Sequence, residues 1–170
     1  GDDGKLNLGG EQREVTILFT DIRGFTSMSE KMEPERVVTT LNEYFSDMID
    51  IVFKHNGTLD KIIGDELMVL YGAPISGEND TQRAVETAVE MQEKIKDLNK
   101  EREQRKEPPI LVGAGINKGL VVSGNIGSRD LMDYTVIGDT VNVASRLCAA
   151  AGPGEIMVSK SVYHTIKESF

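Results

Sequence analysis

At 170 residues, 39% hydrophobic and 28% charged, the chain has the size and composition of one globular domain with a core that needs no staples. A formal net charge of −9 argues against a nucleic-acid partner, which would recruit a basic face. One cysteine, Cys148, excludes an internal disulfide, and no apolar run approaches the ~20 residues of a membrane-spanning helix, so a domain without membrane contact of its own, from a reducing, cytoplasmic setting, is expected.

Residues 1–12 read as a flexible, polar lead-in, ahead of one domain that fills the chain. Val15–Thr20 is a short, β-rich apolar run, as of a buried strand. Pro34 suits a first helical turn, and Val37, Leu41, Phe45, Met48 and Val52 then recur at spacings of three and four until Asn56-Gly57 stops the helix. Thr58–Ile63 and Glu66–Tyr71 are two further apolar runs. The Gly64-Asp65 pair between them, glycine first, signals a type II′ hairpin. A second amphipathic helix runs from about Asp80 to Glu103, with a charged outer face, and Pro108-Pro109 closes it. Ile110–Gly124 and Met132–Ile137 are strand-like. Thr140–Ala150 is helical, and Glu155–Val158 is a short strand before a last helix from about Lys160. The order β-α-β-β-α-β-β-α-β-α predicts an α+β fold with a mainly antiparallel sheet on a ferredoxin-like βαββαβ core.

Two carboxylates fall at strand ends. Asp21 follows the first strand and Asp65 sits in the hairpin turn; if the hairpin pairs beside the first strand, both emerge at one end of the sheet. Mg²⁺ takes one or two protein carboxylates plus phosphate oxygens, and two ions about 3.5–4 Å apart can activate an attacking oxygen and stabilise a leaving one. Taken singly, Asp65 equally suits a turn and Asp21 a helix cap. The glycine turn within Thr20–Thr26 offers backbone N–H groups to a phosphate. On the helix Thr140–Ala150, Val143, Ala144, Leu147 and Cys148 share one face, which puts Asn142 and Arg146, four apart, on the other. That pair is either a solvated polar face or a set of donors for charge on a transferring phosphoryl group, and a second subunit could bring it over the carboxylates of the first.

Four blocks, VTILFTDIRGFTSMSE, LDKIIGDELMVLYG, GAGINKGLVVSGNIGS and DYTVIGDTVNVASRL, together resemble the class III adenylyl/guanylyl cyclase catalytic domains, from about Val15 to Ser159. The resemblance implies that Asp21 and Asp65, with the Ile22 carbonyl, hold two Mg²⁺ or Mn²⁺ ions, and that the amides of Gly24, Phe25 and Thr26 hold the triphosphate. Lys61 and Thr135 match the purine-reading positions, a combination similar to a bacterial-type subgroup that uses ATP, some of whose members respond to bicarbonate. Asn142 and Arg146 match the pair that orients the ribose and stabilises the transition state from the other subunit of a homodimer. The implied reaction makes cyclic AMP and pyrophosphate from ATP, in a cytoplasmic protein or the cytosolic part of a longer, membrane-anchored one.

The sequence departs from the family pattern in two places. It has no counterpart of the final strand pair with its phosphate-binding lysine, and Leu131 stands where many bacterial relatives carry an arginine, leaving Arg129 as the nearest basic candidate. A guanylyl cyclase is disfavoured by Lys61, and a silent homologue by the presence of Asp21, Asp65, Lys61, Asn142 and Arg146 together. A diguanylate cyclase is disfavoured by the turn Ile63-Gly64-Asp65-Glu66-Leu67, which is no GG(D/E)EF.

Overall fold

A computed structural model describes residues 10–170. Strand β1 (Glu11–Ile22) leads through two helices, α1 (Phe25–Glu30) and α2 (Pro34–Lys54), into the hairpin β2 (Thr58–Ile63) and β3 (Glu66–Tyr71). Helix α3 (Asp80–Gln104), strands β4 (Val112–Ser128) and β5 (Leu131–Ile137), helix α4 (Asp139–Ala150), strand β6 (Ile156–Val158) and helix α5 (Lys160–Ile166) complete it. The sheet runs β2-β3-β1-β4-β5, all antiparallel, and β6 adds to β4 in parallel. Its first four strands with α2 and α3 are the expected βαββαβ core.

The central place of β1 explains its composition. A strand covered on both faces reads as a continuous apolar run instead of alternating. Leu18 and Ile22 join Leu67, Val69, Met48 and Val52 in the larger core, under α2 and α3. Val15, Ile17 and Phe19 join Met68, Leu70, Val136, Ala144 and Cys148 in the smaller one, under α4 and β5. The larger core also contains two buried hydroxyl pairs that tie helices to β1: Thr20 with Tyr44 of α2 at 3.1 Å, and Thr16 with Thr81 of α3 at 2.7 Å. Burial raises the Tyr44 and Tyr71 phenols, the latter to about 12, so both remain neutral hydrogen-bonding groups.

Several boundaries move. β1 begins at Glu11, paired with Ser123, so Glu11 and Gln12 of the expected lead-in are strand; residues 1–9 lie outside the described residues. The short α1 has a single apolar pair at helical spacing, Phe25 and Met28, both packed on the larger core. Asn56, at φ 58°, takes the left-handed position at the end of α2 that Asn56-Gly57 signalled. β4 extends four residues further than the sequence suggested, to Ser128, and its outer half pairs only with β5 beyond Ser123. Among the described residues no helix is long and apolar enough to cross a membrane.

Candidate functional site

The hairpin turn places Asp65. Gly64 has φ 62°, which the first residue of a type II′ turn requires and a side chain resists. β3 pairs with β1 from Thr16↔Tyr71 to Thr20↔Leu67, so the turn lands beside the end of β1. Asp65 Oδ2 there accepts from the Ile22 backbone N–H at 2.8 Å. The two aspartates therefore meet at one end of the sheet, and the contact runs through the Ile22 main chain.

Asp21 itself is paired with Arg23. That guanidinium also donates to the carbonyls of Ala149 at 3.0 Å and Ala151 at 3.1 Å, where the partial negative charge of the α4 C-terminus favours a cation. One ligand atom each of Asp21, Glu66 and Cys148 lies within 4.8 Å of the others. Burial pushes the Cys148 thiol up to about 12, so it stays protonated at neutral pH and offers little to a hard cation. Partial burial raises the Glu66 carboxyl, the Asp65 charge pushes the same way, and Arg23 opposes them. Of that group Asp21 and Glu66 remain, with Asp65 beside them on the Ile22 amide; all three offer oxygen, the donor type that suits Mg²⁺ or Mn²⁺. A cation can meet the repulsion between these carboxylates that Arg23 now meets in part.

Gly24 caps α1 in the left-handed conformation, with φ 68°, and its carbonyl accepts from Met28 N at 3.0 Å. The first N–H groups of any helix lack intrahelical acceptors, so those of Phe25 and Thr26 point out of the α1 start. The Phe25 ring packs on the larger core, whereas Thr26 is exposed. This turn and the carboxylates are adjoining products of one strand end.

α4 lies directly on β4. A Cβ at Gly115 would stand 2.2 Å from the Cys148 backbone nitrogen and 2.7 Å from the Ala144 carbonyl oxygen, so only glycine admits the helix at this distance. Asn117 Nδ2 donates to the Thr140 carbonyl at 3.0 Å and the Thr140 hydroxyl to the Leu120 carbonyl at 2.6 Å, fixing the start of α4 on the same strand. Ala144 and Cys148 are fully buried, Val143 and Leu147 half-buried, and Asn142 and Arg146 exposed. Arg146 makes only a loose 3.7 Å approach to Asp139 on the same exposed face. Arg129 sits exposed in the β4–β5 turn, next to Leu131, 73% exposed.

The third cluster joins the two ends of the strand order. β4 and β5 curl over the smaller core until β5 meets β2: the Thr135 hydroxyl donates to Asp60 Oδ2 at 2.8 Å, across 75 positions of sequence. Lys61 Nζ lies 3.6 Å from the same oxygen. Lys61 pairs with Met68 and so faces the smaller core's side of the sheet, after a bulge at Asp60 shifts the register. Asp60, Glu66 and Arg23 are not among the site residues that the sequence points to. All three adjoin named site residues, but adjacency in sequence does not say which face a bulged or turning residue takes.

Residues 10–170 match the family described as the adenylate and guanylate cyclase catalytic domain. The chain belongs to that family. It is 43% identical over 139 residues to an adenylate cyclase of Anabaena cylindrica, a match that covers 79% of this chain and 27% of the relative's length. Among solved structures, the adenylyl cyclase CyaB from P. aeruginosa superposes with a TM-score of 0.90 at 38% identity, over 94% of this chain and 83% of that one. The guanylyl cyclase Cya2 gives 0.87 at 42% identity, over 91% and 79%. The cyclase fold thus spans over nine-tenths of this chain and about four-fifths of each of those two, while similarity alone ranks an adenylyl and a guanylyl cyclase side by side.

Proposed function

We propose that this is the catalytic domain of an adenylate cyclase, converting ATP to 3′,5′-cyclic AMP and pyrophosphate at sites completed between two copies of the chain. The observation that carries the reading is the meeting of Lys61 and Thr135 on one carboxylate, from opposite ends of the strand order. Lys61 can donate to the unprotonated N1 of adenine; the same ammonium would face the N1–H of guanine, donor against donor.

Two divalent ions held by Asp21, Asp65 and the Ile22 carbonyl, Mg²⁺ or Mn²⁺, would lower the pKa of the ribose 3′-hydroxyl and neutralise charge on the departing pyrophosphate. The chain's own groups do the remainder. The amides of Gly24, Phe25 and Thr26 hold the phosphates, and Arg129, in the β4–β5 turn, is the basic group assigned to meet them. Asn142 orients the ribose so that its 3′-oxygen stands in line with the α-phosphorus. Arg146 meets the charge that develops on the transferring phosphoryl oxygens. Departure of pyrophosphate balances formation of the new ester bond, and no covalent bond to the protein is needed.

Two features support a shared site. Asn142 and Arg146 are exposed and aimed away from their own core. In addition, Ile62, Ile63, Ile126, Leu131, Met132 and Ile137 expose apolar side chains on β2, β4 and β5, area available to a second copy. The reading places the domain on the cytoplasmic side, where ATP is available.

The test is product formation from ATP and from GTP, with Mg²⁺ and with Mn²⁺, across a dilution series. Cyclic AMP from ATP, with specific activity rising with protein concentration, is expected. Cyclic GMP formed with equal or better efficiency would contradict the adenylate assignment, and a specific activity independent of dilution would contradict the shared site.

A further inference from the structure

Asp60 is used by none of the steps above, yet it is the most enclosed charged group of the purine-reading cluster. Its side chain is 2% exposed, against 45% for the neighbouring Lys61. A carboxylate with so little access to water needs partners, and it has two: the Thr135 hydroxyl at 2.8 Å and the Lys61 ammonium at 3.6 Å, both on Oδ2. Thr135 is itself 9% exposed, so its hydroxyl is held by Asp60 and not by bulk water.

The direction of the Thr135 bond follows from chemistry. An ionised carboxylate only accepts, so the single hydroxyl proton of Thr135 must point at Asp60. What the hydroxyl can then offer a ligand is lone pairs alone. Lys61, by contrast, has three protons and no acceptor. The pair therefore presents one donor and one acceptor in a fixed assignment. That is the complement of a 6-aminopurine, whose N1 accepts and whose N6 donates. It is the reverse of a 6-oxopurine, whose N1–H donates and whose O6 accepts. A threonine free to rotate would serve either base, because a hydroxyl donates as readily as it accepts.

We propose that Asp60 is a specificity-determining positioning residue: by taking the Thr135 proton and drawing in the Lys61 ammonium, it sets the donor–acceptor polarity that selects adenine over 6-oxopurines. This rests on the adenylate cyclase reading and adds its source of base selection. Asp60 touches no substrate and acts through Thr135 and Lys61. The β2 bulge between Leu59 and Lys61 gives the arrangement its geometry, since strict strand alternation would send Asp60 and Lys61 to opposite faces of the sheet.

ATP and ITP provide the matched pair of probes, since they differ only at positions 1 and 6 of the base. Asp60→Asn is nearly isosteric and can donate to Thr135, which frees the hydroxyl proton to meet O6. The full chain should favour ATP over ITP in kcat/KM, and Asp60→Asn should reduce that preference about tenfold or more. The loss should fall on KM for ATP and leave kcat largely unchanged, as for an interaction made equally in ground and transition states. Thr135→Val should reduce the preference by itself, and adding Asp60→Asn to it should cause little further loss, because the two act through one hydroxyl. An Asp60→Asn protein that retains its thermal midpoint and the full ATP preference would overturn the proposal. Equal losses with ATP and ITP, or additive losses in the double variant, would also overturn it. The parent chain separates the two levels: turnover of neither nucleotide, with neither bound, would count against the adenylate cyclase reading itself, whereas an ATP-selective parent with an equally selective Asp60→Asn variant removes Asp60 alone.

Discussion

The two faces of the sheet divide the labour of this molecule. Under α2 and α3 lies the larger core, closed by long helices, buried tyrosines and threonine pairs. Over the other face lie, among the described residues, only α4 and the curled β4–β5 hairpin, around a smaller core, with apolar and charged groups left exposed. Every candidate site residue belongs to that thinner side or to the strand ends that border it. In the shared-site proposal the thinner face receives substrate and a second copy, and a face with that task cannot also be sealed, so stability is concentrated on the other one.

Substitutions should separate these roles, and the largest effect is expected at the site. Asp65→Ala should lower cyclase turnover by at least about a thousandfold, the several kcal/mol expected of a metal ligand, while leaving the far-ultraviolet circular dichroism and thermal midpoint nearly intact. On the sealed face, Met48→Ala, which empties a fully buried position in α2, should cost about 2–5 kcal/mol in denaturant unfolding, with residual folded enzyme keeping its KM. Arg146→Ala should lower kcat about a hundredfold, with little change in stability, because the side chain is 70% exposed and makes no close ion pair of its own. The smallest effect belongs to a surface pair on the sealed side. Glu90 is held below its ordinary range by hydrogen bonds from His55 and then Lys54, each at 3.0 Å, yet Glu90→Gln should cost under about 1 kcal/mol and leave turnover unchanged. A depressed carboxyl stabilises the fold above its ordinary pKa, so that small difference between Glu90→Gln and the parent should vanish as the pH falls through the carboxylate range.

Much of this division can be read from the chain. A run apolar at both parities, Val15–Phe19, marks a strand with cover on each side, and the structure places it at the centre of the sheet. Gly64-Asp65 identifies the hairpin because few other pairs satisfy its turn, and the 3.6-residue period of α4 separates Ala144 and Cys148 from Asn142 and Arg146. The rest depends on contacts with no local signature. Neither the curl that carries Thr135 to Asp60 nor the bulge that aims Asp60 is encoded in the spacing of β2 or β5. Arg23 reads as part of a glycine turn until the α4 carbonyls are seen beside it, and Glu66 reads as a strand residue until the turn folds it toward Asp21. The blocks that resemble the cyclases supplied residues for roles; the pairing of strands supplied their neighbours.

The central claim is that one copy of the chain holds the carboxylates and another the Asn142–Arg146 pair that together make one working site. Mixing purified Asp65→Ala with Arg146→Ala tests it most directly, since each variant keeps the half that the other lacks. Cyclic AMP formation that rises well above that of either variant alone, and reaches its maximum near equal proportions, is the result expected of sites shared between copies. A mixture in which heterodimers form, yet no activity is regained, would contradict it.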